Sequence, residues 1–103
     1  MRRRRARWTT TARADVVDDH DYIALSSPLA ASRFALSIFA KVRSLAELGL
    51  TGVSRSEFGE GLRSIAYRER IIFFRIRGNE LVVVRVLHGH QEISPDYFKT
   101  DEN

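Results

Sequence analysis

Apolar residues recur along this chain at two different periods, and the change of period divides it in two. Between residues 28 and 48, Ala31, Phe34, Ile38, Val42 and Leu45 fall at spacings of three and four, the stripe of a helix with one buried face. Ser27 offers a capping hydroxyl, Pro28 suits the first helical position, and Gly49 is placed to stop the helix. A thinner stripe of Ala12, Val16 and Ile23 predicts an earlier helix, capped by Thr9, Thr10 or Thr11 and running to about Leu25, with aspartates near its positive end. The short link between the two predicts an antiparallel helical hairpin.

After residue 60 the period falls to two. Segments 62–67, 71–77 and 81–88 are rich in β-branched and aromatic residues; between them Arg68-Glu69 and Gly78-Asn79 are turn material, the second a good hairpin turn. These give a three-stranded antiparallel meander. Residues 6–9, anchored by Trp8, predict a further strand able to join its edge. Residues 50–60 read as the least structured stretch, and Pro95-Asp96-Tyr97-Phe98 as a short segment of undefined shape. Helix, helix, then strands indicates an α+β fold in which the helical pair covers one face of a three- to four-stranded antiparallel sheet. At 103 residues with 44% hydrophobic content, the whole length is expected to form one domain with its own core.

Net charge is +4, which favours an acidic partner, but Arg2, Arg3, Arg4, Arg5 and Arg7 carry the excess. Residues 1–7 therefore read as a basic, solvated tail with at most salt-dependent affinity for nucleic acid. With no cysteine, disulfides and thiolate chemistry are excluded, and no cofactor is implied. No apolar run is long enough to span a membrane, and the basic start lacks the apolar stretch of a secretory signal. Asp15, Asp18, Asp19 and Asp21 argue against a transit peptide, which makes the cytoplasm the default location.

The strands hold arginines where a plain core would hold aliphatics: Arg63, Arg75 and Arg85. A buried guanidinium is costly unless paired, so these groups are either bridged by acids or turned to an anionic partner. Alternation places Arg75 with Ile71 and Phe73, and Arg85 with Leu81, Val83 and Leu87, each at the end of its apolar row. Their heads then reach water, Glu57, Glu69 or Glu80, or form a cationic surface beside the C-terminal segment. His88-Gly89-His90 offers two imidazoles, suited to local bonding, to proton transfer, or to a metal site completed by His20 or Glu92. No phosphate loop, nucleophile elbow or paired-carboxylate site is legible.

Leu62-Arg63-Ser64, Ile72-Phe73-Phe74-Arg75-Ile76 and Val84-Arg85-Val86-Leu87-His88-Gly89 together resemble the ParE branch of the ParE/RelE toxins of bacterial type II toxin–antitoxin pairs. Thr11-Ala12-Arg13-Ala14-Asp15-Val16 with Asp21-Tyr22-Ile23-Ala24 is similar to the family's first helix, and Ser27-Pro28 with Ala30-Ala31-Ser32-Arg33-Phe34 to the start of its second. The similarity covers residues 8–92. It implies growth inhibition by binding DNA gyrase, reversed by an antitoxin whose acidic C-terminal segment wraps the toxin in a hetero-oligomer. Target binding would then fall on Arg75, Arg85, His88, His90 and Phe98, and antitoxin binding on Phe34, Ile38, Val42, Arg63 and Arg85.

The RelE branch supplies the alternative, a metal-free endonuclease that cuts mRNA on the ribosome, for which Arg63, Arg85, His88 and Tyr97 would serve as cations, acid and base. Acidic residues toward the C-terminus (Glu92, Asp96, Asp101, Glu102) weigh against it, because they repel RNA. Departures from the family pattern are Gln91 and Glu92 where Arg-Asp is common, Phe74 in place of a tyrosine, and Asp19 in place of an aliphatic. They open a third reading, a degenerate family member without toxicity.

Overall fold

Thr9 is the joint from which the architecture is set. In the computed structural model, which describes residues 3–99, strand β1 (Arg5–Trp8) leads directly into helix α1 (Thr10–Ala24). Thr9 is fully buried between them. Its N–H donates to Val83 O at 3.0 Å, its hydroxyl donates to Val84 O at 3.3 Å, and the same oxygen caps α1 by accepting from Ala12 N at 3.0 Å. Helix α2 (Pro28–Leu48) starts on the Ser27 cap and ends at Gly49, whose φ of 69° is left-handed backbone that a side chain would strain.

Four more strands follow: β2 (Val53–Ser54), β3 (Arg63–Tyr67), β4 (Arg70–Arg77) and β5 (Glu80–His88). The sheet has five strands in the order β1-β5-β4-β3-β2. The meander β3-β4-β5 is antiparallel, as its spacing predicts. Two features differ from expectation. β1 joins the edge parallel to β5, in the register Arg5↔Glu80 to Trp8↔Val83, so the sheet is mixed. The stretch after α2 also contributes the two-residue strand β2, paired with β3.

The basic start is correspondingly not a free tail from Arg3 onward. Arg4 N–H donates to Ala46 O, Arg5 to Trp8 form β1, and Arg7 Nε meets Glu80 Oε1 at 3.2 Å. Met1 and Arg2 lie outside the described residues, as do Asp101 and Glu102.

Both sheet faces carry a core. On the helical side Ala12, Val16, Ile38, Val42, Leu45, Ile72, Phe74, Leu81, Val83 and Val86 pack together. On the opposite face Leu62, Phe73, Val82, Val84, Leu87 and Phe98 form a second cluster, with Phe58, Ile93 and Tyr97 against it. The 3-10 turn Pro95–Phe98 is thus a lid over this second core. Facing positions on β5 run 81, 83, then 86 on the helical side, and 82, 84, then 87 on the other. The change of step is a bulge: Phe73 pairs with Arg85 and Phe74 with Val83, which leaves Val84 without a partner on β4.

Candidate partner-binding surface

The bulge re-aims Arg85, and that corrects the face assigned to it from simple alternation. β1 pairs with β5 only as far as Trp8↔Val83, so the edge of β5 beyond Val83 is met by α1 instead of a strand. Asp15 fills the gap. Its Oδ2 accepts from Val86 N–H at 2.9 Å and from Arg85 Nε at 2.8 Å, while Oδ1 accepts from Arg85 Nη2 at 2.9 Å. Arg85 Nη1 donates to Tyr97 O at 3.1 Å, and the guanidinium lies 5.5 Å from the centre of the Tyr97 ring. The Asp15 hydrogen bonds raise the pKa of Arg85 against the opposing effect of burial. Arg85 is therefore bridged by an acid, and the acid is Asp15 rather than Glu57, Glu69 or Glu80.

One helical turn further along α1, Asp19 repeats the arrangement. It accepts from Arg70 Nε of β4 at 2.9 Å, and its other oxygen lies 3.3 Å from His88 Nε2 at the end of β5. Arg70 also sits 4.9 Å above the Phe34 ring of α2. The aspartate that departs from the aliphatic pattern is thus the anchor of a second ion pair between helix and sheet. His88 N–H donates to Gln91 Oε1 at 2.8 Å, so Gln91 closes the turn after β5.

The remaining candidate residues divide between exposed and enclosed. His88 and His90 are exposed, and Arg75 donates from Nε to Glu60 O at 3.1 Å, bracing the turn before β3. Arg63 donates to the carbonyls of Thr51 and Gly52, beside the end of α2. Arg63 belongs to β3 and Arg85 to β5, with β4 between them, so of the groups named for RNA cleavage Arg85 meets Tyr97 but Arg63 stands on another strand. Ile38 and Val42 have no exposed surface and Phe98 is 5% exposed, so packing withdraws all three from direct contact with a partner. His20 bonds to Asp21 and His88 approaches Asp19, and among the described residues no group of three or more His, Asp or Glu side chains is placed to hold a metal ion.

Phe34 is the enclosed exception that reaches the surface. It forms the floor of a groove of about 670 Å³ with Ile23, Leu29, Ala30, Arg33, Arg68 and Arg70, between the hairpin tip and the β3–β4 turn. Three cations over an apolar floor suit an acidic amphipathic segment. At its margin Arg68 Nε donates to Tyr67 OH at 3.0 Å; this hydrogen bond, helped by Ser37 and by the charges of Arg68 and Lys41, lowers the Tyr67 pKa from its usual 10.0 against the smaller effect of burial. Sequence reasoning missed Arg70 and Arg68 in this role. The available signal was the apolar Phe34 two helical turns from a Pro-capped start, facing a strand that opens on arginine.

Comparison with known proteins agrees with this architecture. No match is found among curated proteins. Among solved structures, a chain of the chromosomal ParDE TA system from P. aeruginosa is similar, at 25% identity and a TM-score of 0.70, over 82% of this chain and 95% of that one. The family model for the ParE toxin of type II toxin–antitoxin system, parDE, matches residues 6–93, from within β1 to beyond β5. That span takes in both helices, the whole meander and the Asp15–Arg85 bridge, and the chain belongs to the ParE toxin family.

Proposed function

We propose that this chain is a growth-inhibiting toxin that acts in the bacterial cytoplasm by binding DNA gyrase and is held inactive by a cognate antitoxin. The observation that carries the reading is the family match across residues 6–93 together with the likeness to a ParDE chain. A non-catalytic mode is supported by the state of the groups an endonuclease would need. Arg85 is held by two hydrogen bonds to Asp15, His88 lies against Asp19, and Arg63 is spent on backbone carbonyls. Arg85 does meet Tyr97, but the carboxylates of Asp15 and Asp19 stand against Arg85 and His88, where a scissile phosphate would be repelled. The antitoxin's acidic segment fits the Phe34 groove, where Arg33, Arg68 and Arg70 supply charge and Leu29, 60% exposed, supplies apolar surface.

Induced expression without the antitoxin is expected to arrest growth with filamentation, and the purified protein to block supercoiling by gyrase. Cleavage of ribosome-bound mRNA in arrested cells would select the endonuclease instead. Normal growth at high levels of folded protein would leave the degenerate member as the reading.

A further inference from the structure

On the side of the molecule away from the Phe34 groove's helical tip, the start of β1 runs along the end of α2 and borders an open cavity of about 630 Å³. Arg3, Arg4, Arg5 and Arg43 line it, together with Trp8, Phe39 and Glu47. Arg4 is fixed there by its N–H bond to Ala46 O at 2.8 Å. Two of its guanidinium nitrogens, Nε and Nη1, are buried and have no hydrogen-bond partner among the described residues. Unpaired donors on a charged group are expensive to bury, so this arrangement gains by taking up an anion.

Charge decides which anion. Four arginines bring four positive charges to the cavity. Against them stand Glu47, whose Oε2 lies 3.9 Å from Arg3, and the partial negative charge of the α2 C-terminus, together about one and a half charges. The surplus of about two and a half exceeds what one carboxylate neutralises and matches a di- or triphosphate. One wall is aromatic: Trp8 and Phe39 meet edge to face with ring centres 4.9 Å apart, and Phe39 is 41% exposed. An exposed ring beside arginines gives a base something to stack on. We infer that this cavity is a binding site for a phosphate-bearing nucleotide, supplied either as a free nucleoside polyphosphate or as the backbone of a nucleic acid.

Trp8 is the sole tryptophan, so its fluorescence reports on the cavity directly. Titration of the purified chain at low salt with ATP, with inorganic pyrophosphate and with a short single-stranded oligodeoxynucleotide is expected to give saturable changes. ATP without the oligonucleotide identifies the free nucleotide as the source, and the oligonucleotide without ATP identifies nucleic acid. Arg4→Met and Arg43→Gln are each expected to weaken binding about tenfold, the worth of one charge-assisted hydrogen bond. Arg43 stands on the surface of α2, so its variant keeps the thermal midpoint of the parent and separates lost binding from lost folding. No saturable response to any phosphate ligand, tighter binding of an oligoglutamate peptide, or unchanged affinity in both variants would overturn the assignment.

Discussion

Asp15 accepts three hydrogen bonds with two oxygens, from Arg85 Nε, Arg85 Nη2 and Val86 N–H, so its removal strands a guanidinium and a backbone donor together. Both side chains are largely enclosed, at 14% and 19% exposure. Breaking such a pair from one side costs more than the pair itself contributes, because the surviving charge keeps its desolvation penalty. Asp15→Ala is therefore expected to lower unfolding free energy by about 3 kcal/mol in urea titration. Adding Arg85→Ala should recover part of that loss, which a double-mutant cycle reads directly. A change within about 0.5 kcal/mol for the single variant would show that the bridge is ornamental to folding. At this scale the sequence was only half legible. The need for an acid opposite Arg85 follows from desolvation, but the choice of Asp15 does not, since donor and acceptor are 70 residues apart.

The elements themselves were largely readable. Both helices begin on the hydroxyls named for them, and the three meander strands fall within one residue of their spacing-based bounds. What the period could not show was the bulge, because a single unmatched residue in a run of Val and Leu leaves composition unchanged while moving every later side chain to the opposite face. Nor could it show the parallel pairing of β1, which no local pattern encodes. The aspartates of α1 were expected to serve its helix dipole; none lies in the first turn, and Asp15 and Asp19 serve the sheet instead. One element carries strain. Arg68 and Glu69, between β3 and β4, have φ of 50° and 62°, a left-handed pair that non-glycine residues adopt at a cost. Glu69→Gly keeps Arg68 on Tyr67 and relieves the second position. It is expected to raise the urea midpoint by an amount equivalent to about 0.5–1 kcal/mol; a lowered midpoint would mean that the Glu69 side chain contributes more than its backbone costs.

At the scale of the whole molecule, the sheet is covered on both faces, by the helical hairpin on one and by the Phe58 turn and the 95–98 lid on the other. Phe98 packs 4.8 Å from Phe73 and 6.3 Å from Phe58 between ring centres, so it seals the second core. Phe98→Ala is expected to cost about 3 kcal/mol and to raise binding of an apolar dye. A variant with unchanged stability would mean that the lid lies on the face without closing it. The same topology sets a schedule for synthesis. Thr9 and Val84 are 75 residues apart, and β1 has no strand to pair with until β5 has been made. At ribosomal rates of about 5–20 residues per second, that is a wait of roughly 4–15 s during which the arginine-bearing first strand is open while its sheet does not exist. Throughout that interval the nascent chain lacks the surface built on β5, so a partner that reads this surface has nothing to engage until the last strand has been made.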